Sequence, residues 1–548
     1  MFSEKKDGKI VFFGGFILGI IAFLIIYGVK VLDFTYDGWL LQGSGFTGDL
    51  TQHYLGWVYF RDSDWSFPLG LIENLSYPDK ISIIYTDSIP LFAIIFKIFS
   101  QVLPETFQYF GLWGVISFAL QGGFAAILIK KYTKSIPLCI ISSAFFVIAP
   151  IMLRRMFFHT ALAAHWIILA AICLWIYQDE IKKSAVKSAL WLSLVGLCVL
   201  VNLYFSPIII GILICASIGE ILKKKAYFAP ILTSILSIFV TFILMYIFGG
   251  FYGGVSAKMG GLGTFSFNLN GFYNPFGTSY FSSEKEIFVN GQNEGFAYLG
   301  VGMIILLAVA VFIFMLSTRK KGDFSGKIAA LVPFAIAVFV FVFLALSPVV
   351  TFNGKNLFTI PYTEKINEML SIFRSSGRFI WPVYYLLMIF AFSQLAKVKK
   401  TAVIGAFVTI CLGLQTLDFQ KVFAESHSYF ASQKVYLSPL KSNFWKDIAK
   451  SKKHIMFYAP IWNIYVEPNI GYNFAVYAKN NDLTLNGVYF SRDLSTQIDT
   501  KTLEHFERLK TDKTFGGDTI YIFTGEIPQG DFGLKYQKID GFNVGIKK

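Results

Sequence analysis

The 548-residue chain carries unusually little charge. Only 15% of its residues are Asp, Glu, Lys or Arg, whereas 55% are hydrophobic and 18% are aromatic. A soluble protein of this size needs about 25% charged residues to cover its surface. The composition therefore excludes a soluble globular protein and predicts that most of the chain faces lipid.

Cysteine is also scarce, and it is missing from the polar C-terminal part. The five cysteines all fall in hydrophobic stretches: Cys139, Cys173, Cys198, Cys215 and Cys411. This distribution excludes a disulfide framework for the polar part.

Several catalytic motifs are absent. The sequence contains no P-loop, no Rossmann glycine fingerprint after a strand, no His-Glu-x-x-His and no Gly-x-Ser-x-Gly. These absences argue against a nucleotide-driven enzyme, a zinc protease and cytoplasmic nucleotide-sugar chemistry.

The net charge of +14 raises the question of a nucleic-acid partner. The basic residues, however, form short clusters between apolar stretches, a pattern typical of cytoplasmic membrane loops. We therefore expect a lipid bilayer as the partner of this chain and no nucleic acid.

Long apolar runs dominate the first three-quarters of the chain. About 20 apolar residues in a helix cross the hydrocarbon core. Eleven candidate spans cover residues 10–32, 107–129, 136–151, 161–177, 189–203, 207–222, 227–248, 296–316, 328–346, 379–395 and 402–417. The predicted fold class is an all-α polytopic membrane protein with about 11 transmembrane helices.

Basic clusters predict the orientation of these spans, because cytoplasmic loops are enriched in Lys and Arg. The clusters cover residues 5–9, 130–134, 182–187, 223–225, 319–321 and 397–400. A twelfth apolar run, at 88–103, leaves an odd number of crossings between the first two clusters. It is interrupted by Lys97, so we expect an interfacial or re-entrant helix there. The N-terminus is then cytoplasmic in the plasma (inner) membrane.

The chain accordingly divides into two predicted domains. Residues 1–417 form the transmembrane domain, with long outer loops at 33–106, 249–295 and 347–378. Residues 418–548 form an extracytoplasmic domain. Its alternating stretches, such as KHIMFYAP and DTIYIFTG, predict a small mixed α/β fold.

The first outer loop contains the stretch GDLTQHYLGW. Read as a helix, it carries Asp49, Gln52 and His53 on one edge. We expect its apolar edge to lie on lipid; this edge carries Leu50, Tyr54, Trp57 and Val58. Asp49 is either a helix N-cap, with Gln52 at capping-box spacing, or a general base. Both interpretations stay open.

Two basic clusters on the predicted outer face oppose the charge rule. MLRRMFFHT contains Arg154, Arg155 and His159, and FRSSGRFIWP contains Arg374 and Arg378. Each arginine either pairs with an outer carboxylate or snorkels to lipid phosphate. Alternatively, the two clusters share an anionic ligand such as a phosphate, held by bidentate guanidinium contacts.

Two further carboxylates lie on the same predicted face. Asp87 precedes the interfacial run in YTDSIPLF, and Glu294 precedes a span in GQNEGFAYLG. Carboxylates at a lipid–water boundary suit acid–base chemistry, because they are held out of bulk water.

This arrangement resembles the GT-C superfamily of multi-pass membrane glycosyltransferases, in an uncharacterised bacterial branch. The likeness rests on Asp49 in GDLTQHYLGW, on TDSIPLFAIIF, and on the arginine-bearing hairpin MLRRMFFH. The stretches GQNEGFAYLG and RSSGRF add to it. It covers the membrane part but not the tail. The acidic pair common in the first loop of that superfamily is here a lone Asp49 after Gly48, which argues against a metal site built on paired acids.

The resemblance implies an inverting transfer of a sugar from a polyprenyl-phosphate donor to a cell-envelope glycan or similar acceptor outside the cytoplasm. Asp49 would be the catalytic base. His53, Gln52, Asp87 and Glu294 would line the acceptor site, and Arg154, Arg155, His159, Arg374 and Arg378 would bind the donor phosphate. No cofactor is predicted, and a divalent metal stays an open alternative for which the sequence offers no ligand cluster.

Other functions stay open at this stage. A transporter or flippase of lipid-linked glycans would need ionisable residues or broken helices near mid-membrane, and few are present. A polymerase of lipid-linked repeats is a close relative of the first hypothesis. A non-catalytic membrane protein that binds a partner through its outer tail is a third class.

Overall fold

A computed structural model describes most of the chain. The described residues are 2–43, 49–225, 227–254, 262–318, 324–458, 468–488, 490, 495–512, 514–525, 527, 530 and 532–548. Gly48 and the basic cluster at 319–321 lie outside them.

The first 431 residues are mostly helical. In chain order the helices are α1 (Phe2–Tyr27), α2 (Leu50–Asp62), α3 (Pro90–Ile98), α4 (Phe110–Lys130), α5 (Ile136–Val147), α6 (Pro150–Leu153), α7 (Trp166–Ile176), α8 (Ser184–Val201), α9 (Phe205–Lys224), α10 (Phe228–Ile247), α11 (Val301–Thr318), α12 (Phe324–Leu346), α13 (Glu364–Ser371), α14 (Trp381–Leu395), α15 (Thr401–Asp418) and α16 (Gln420–Ala431). Two short antiparallel hairpins lie between them: β1 (Leu71–Ile72) with β2 (Ile81–Ser82), and β3 (Val349–Phe352) with β4 (Lys355–Thr359).

Seven helices of the described residues are long and apolar enough to cross a membrane. They are Lys6–Tyr27, Phe110–Lys130, Ser184–Val201, Phe205–Lys224, Phe228–Ile247, Ser376–Leu395 and Thr401–Asp418. Four shorter apolar helices accompany them: Ile136–Val147, Thr160–Ile176, Val301–Ser317 and Val332–Leu346. Each of the eleven predicted segments coincides with one of these helices. The chain is a polytopic helical protein, and seven spans satisfy the requirement of length.

The exposed side chains of α1 show how a helix meets lipid. Phe13, Ile17, Ile21 and Ile25 recur every four residues and are 52–66% exposed, so they form one stripe along the helix. The opposite side buries Phe23 against α4. Exposed aliphatic and aromatic side chains at this spacing are what a bilayer covers.

Helix α2 does not lie on lipid, and that expectation is wrong. Leu50, Tyr54 and Trp57 are buried together with Gln52 and His53 on the other edge. The polar C-terminal part covers the helix, because the Tyr59 hydroxyl donates to the Ala475 carbonyl at 2.8 Å. Both faces of α2 are therefore protein core.

Helix α3 follows a tight turn. Its nine residues rise about 14 Å, roughly half of the hydrocarbon core. Ile95 and Ile98 are exposed, whereas Lys97 is buried with its ammonium over the rings of Phe60 and Trp65.

The C-terminal part forms a small sheet domain. Its elements are α17 (Asn443–Ala449), β5 (His454–Tyr458), α18 (Pro468–Lys479), β6 (Thr484–Leu485), α19 (Ser495–Asp512), β7 (Thr519–Phe523), β8 (Leu534–Ile539) and β9 (Phe542–Lys547). The strand order is β6-β5-β7-β9-β8, with β6, β5 and β7 parallel and β9 antiparallel to both β7 and β8. The stretches KHIMFYAP and DTIYIFTG supply the central strands β5 and β7.

This domain is docked on the first loop of the membrane part. Backbone hydrogen bonds of 2.8 Å join Leu485 to Asn74 and Tyr77 to Leu485. An ion pair of 2.5 Å joins Lys479 to Asp62 at the end of α2. Helix α16 instead packs on α1, where the His427 Nδ1 lies 2.8 Å from the Ile25 carbonyl.

Candidate functional site

A pocket of about 240 Å³ gathers most of the predicted site residues. Its walls come from seven separate parts of the chain: Asp49; Ile84, Tyr85 and Asp87; His159; Asn202, Leu203 and Tyr204; Phe265; Glu294; and Arg374, Ser375 and Arg378. Residues 325 positions apart thus meet at one place, between the ends of α8, α11 and α14 and the first turn of α2.

Asp49 lies at the N-cap position of α2 but does not cap it. Its side chain makes no hydrogen bond to the backbone of the first turn. One carboxylate oxygen, Oδ2, lies 3.3 Å from His159 Nε2. Gln52 does not complete a capping box, because its amide donates to the Tyr85 carbonyl at 3.4 Å. The capping explanation for Asp49 is therefore wrong, and its carboxylate faces the pocket.

The tautomer of His159 follows from its neighbours. The Arg155 guanidinium lies 3.0 Å from His159 Nδ1, and a guanidinium can only donate, so Nδ1 accepts. The ring proton then lies on Nε2 and is donated to Asp49. Burial lowers the pKa of His159 below its ordinary value despite the Asp49 carboxylate, so the ring is neutral at neutral pH.

His159 also governs the acidity of Asp49. Burial on its own raises the pKa of that carboxyl, but the hydrogen bond that the neutral His159 ring donates is the largest effect that lowers it, and the lowering effects together outweigh burial. The net pKa of Asp49 lies below its ordinary value of 3.8. Asp49 is therefore ionised throughout the physiological pH range and can accept a proton.

Glu294 holds two of the arginines, in what we name the ion cluster (Arg155, Glu294 and Arg378). Arg155 binds Glu294 through two parallel contacts of 3.1 and 3.0 Å, and Arg378 Nε donates to the same carboxylate at 2.8 Å. Burial raises the pKa of Glu294, yet the two guanidinium groups hold it well below the ordinary range. For Arg155 and Arg378 the alternative of pairing with a carboxylate is thus the observed one.

Two glycines allow the backbone segments that carry Glu294 and Arg378 to approach each other closely enough for the ion cluster to form. A Cβ on Gly377 would lie 2.6 Å from the Gly295 Cα atom, and a Cβ on Gly295 would lie 2.6 Å from backbone atoms of Ser266 and Phe267. Only glycine fits at either position. The glycines in NEGF and SSGRF therefore bring Glu294 and Arg378 together.

Arg374 differs from its two neighbours. It lines the pocket with its guanidinium 5.4 Å from the Phe265 ring centroid. Within the described part of the chain it has no carboxylate partner and no hydrogen bond. Together with Asp49 and His159 it forms what we name the pocket-facing group.

Asp87 is held at the pocket by a strained turn. Asp87 and Ile89 adopt left-handed φ angles of 53° and 54°, which are rare for residues other than glycine. The Ser88 hydroxyl fixes the turn by donating to the His53 carbonyl at 2.6 Å. Asn202 donates to the Asp87 carboxylate at 2.9 Å.

Four predicted site residues do not line the pocket, and one of them, Arg155, belongs to the ion cluster. Gln52 and His53 lie behind Asp49 in the core of α2, and burial lowers the pKa of His53 to about 3. Arg154 points the other way, with its guanidinium 5.0 Å from the Phe296 ring centroid and 5.7 Å from that of Phe276.

Several pocket residues were not predicted from the sequence. Tyr204 lies under the Arg378 guanidinium at 4.3 Å, and its hydroxyl accepts a hydrogen bond from the Ser375 backbone at 3.2 Å. Asn202 breaks an apolar run in VLVNLYF, and a polar residue at that place was the available signal. As for metals, the described residues hold no group of three His, Cys, Asp or Glu side chains that could bind an ion.

Comparison with known families covers both parts of the chain. Residues 16–420 match the family described as a domain of unknown function (DUF6311), and residues 444–547 match the DUF6311 C-terminal domain. No curated protein matches the chain. Because the first match spans well over half of the sequence, this chain belongs to the DUF6311 family.

Proposed function

We propose that this protein is a GT-C-type glycosyltransferase, which moves a sugar from a polyprenyl-phosphate donor to a cell-envelope acceptor with inversion. The observation that carries the proposal is the pocket-facing group: a carboxylate held by His159 lies on one pocket with an arginine that has no counter-ion among the described residues.

In the proposed reaction, Asp49 accepts the proton of the acceptor hydroxyl. The hydroxyl oxygen attacks the anomeric carbon as the bond from that carbon to the phosphate oxygen breaks. The leaving lipid phosphate keeps the electron pair and gains negative charge, which Arg374 stabilises. His159 keeps Asp49 ionised and aimed, so we regard it as a positioning residue.

The proposed topology has eleven spans, with the N-terminus cytoplasmic and the pocket and the C-terminal domain outside the inner membrane. The order of the loops supports it. The chain segments that carry pocket residues lie after α1, before α7, between α8 and α9, before α11 and before α14. Basic clusters instead lie at 130–134, 182–187, 223–225, 319–321 and 397–400, in the sequence between these. Pocket loops and basic loops alternate along the chain.

A membrane assay with a polyprenyl-phosphate sugar tests the proposal. Asp49→Asn should reduce transfer by about 10³-fold, because an amide cannot accept the proton, while insertion and thermal stability stay near wild type. Asp64→Asn, an exposed carboxylate of the same outer loop, is the matched control and should keep full activity.

Two outcomes would contradict this function. Full transfer by the Asp49→Asn protein would remove the base from the mechanism. Turnover of a nucleotide sugar without any lipid donor would show that the donor is not a polyprenyl-phosphate sugar.

A further inference from the structure

A second pocket, of about 210 Å³, lies on the other side of the segment that carries Arg154 and His159. Its walls are mostly apolar and aromatic, and they include Leu153, Met156, Phe157, Phe158, Phe419 and Phe430. One cation, Arg154, lines it. The proposed transfer reaction makes no use of this pocket.

Arg154 and Arg155 are neighbours in the chain with opposite surroundings. Arg155 is buried and neutralised by Glu294 through a bidentate contact. The Arg154 guanidinium lies beside the rings of Phe276 and Phe296 and makes no hydrogen bond or ion pair within the described residues. The Glu294 and Glu284 carboxylates act on it only from beyond ion-pair distance. Burial lowers the pKa of Arg154 to about 10. A largely buried cation without a counter-ion is costly, and an anion in the pocket removes that cost.

The carboxylate on this pocket does not neutralise Arg154. Glu425 is 54% exposed at its side chain and lies 3.9 Å from Lys421, one turn earlier on α16. Its charge is thus screened by water and balanced by Lys421. Ser426 adds a hydroxyl group that can donate to an anion, whereas the Thr278 hydroxyl donates to the Pro275 carbonyl at 2.6 Å.

We propose that this second pocket binds a phosphate-bearing lipid, with the phosphate on Arg154 and the apolar chain along the aromatic wall. Both parts of the pocket fit one amphiphile: a single guanidinium suits a phosphate, and the apolar wall suits a hydrocarbon chain. The site is distinct from the pocket of Asp49 and does not depend on the reaction proposed there.

Native mass spectrometry of the full chain in a non-ionic detergent tests this site, with dodecyl phosphate, dodecanol and inorganic phosphate as the three probes. The Arg154→Gln protein should bind one dodecyl phosphate fewer than wild type, or bind it at least about tenfold more weakly. Arg508→Gln, an exposed arginine of the C-terminal domain, should bind like wild type.

A second variant guards against misfolding of the first. Val422 lines the pocket and is partly exposed, so Val422→Asp places a repelling carboxylate beside the site at little cost in packing. It should lower dodecyl phosphate binding while the melting temperature without probe stays near wild type. Arg374→Gln should leave the Arg154 site occupied, which separates this proposal from the proposed function.

The three probes distinguish the sources of the anion. Binding of dodecyl phosphate, with little binding of dodecanol or inorganic phosphate, supports the lipid. Equal affinity for inorganic phosphate would overturn the proposal of a lipid ligand, because the pocket would then be a site for free phosphate. Unchanged dodecyl phosphate binding in both Arg154→Gln and Val422→Asp would overturn the site as a whole.

Discussion

The ion cluster, through Glu294 and Arg378, shares one pocket with the pocket-facing group, yet the charges of the two sets are arranged differently. In the ion cluster, one carboxylate accepts from two arginines, and each charge has a partner within 3.1 Å. In the pocket-facing group, the described partner of the Asp49 carboxylate is a neutral imidazole, and that of the Arg374 guanidinium is an aromatic ring.

The difference separates charge that stabilises the fold from charge that is available to a ligand. A buried carboxylate with two guanidinium partners is locked, because removing any member leaves an uncompensated charge. When a carboxylate and a guanidinium do not neutralise each other, the carboxylate can still accept a proton from a substrate and the guanidinium can still bind a substrate anion. Substitutions in the two sets should therefore affect different measurements.

The largest expected effect is on stability, from Glu294→Gln. This change leaves Arg155 and Arg378 buried without their shared counter-ion, so the free energy of unfolding should fall by about 3–5 kcal/mol. Thermal or denaturant unfolding of the detergent-purified chain measures it. Glu284→Gln, at an exposed carboxylate of the same loop, is the control. A loss no larger than that of the control would mean that the ion cluster is not structural.

A smaller effect, on activity alone, is expected from Arg374→Gln. Transfer from the polyprenyl-phosphate donor should fall by about 10²-fold, because charge on the leaving phosphate loses its guanidinium. Stability should stay near wild type, since no described carboxylate depends on Arg374. Arg374→Lys should recover part of the rate. If Arg374→Gln unfolded the protein as readily as Glu294→Gln, the distinction between the two sets would fail.

Hydropathy alone predicted the long apolar helices, because a helix that crosses the hydrocarbon core needs a run of about 20 apolar residues. The basic clusters and the polar segments between the apolar runs could also be located directly in the sequence. Asp49, Asp87, Glu294, Arg374 and Arg378 were predicted as site residues for that reason, and the structure brings them to one pocket.

The partners of these residues could not be predicted, because they come from contacts between distant segments. Arg154 and Arg155 are equivalent in sequence, and only the packing of Glu294, 139 positions away from Arg155, distinguishes them. The covering of α2 likewise depends on Ala475, 416 positions after Tyr59. An amphipathic pattern reports that a face is apolar but not whether lipid or protein covers it.

The smallest effect should be a shift in the pH dependence, from His159→Phe. In the wild type, the hydrogen bond from His159 holds the pKa of Asp49 below 3.8 against the opposing effect of burial. Without that bond burial dominates, so the pKa of Asp49 should rise above 3.8. Transfer requires the ionised carboxylate, so its loss toward low pH should begin about one pH unit higher than in wild type.

The rate at pH 8 is the internal reference for this shift. Asp49 is ionised there in both proteins, so the difference between them should be smaller at pH 8 than at pH 5. His505→Phe, in the C-terminal domain, should leave the profile unchanged. A His159→Phe protein whose rate falls equally at every pH would show that His159 positions Asp49 without tuning its acidity, whereas an unchanged rate at every pH would detach His159 from Asp49 altogether.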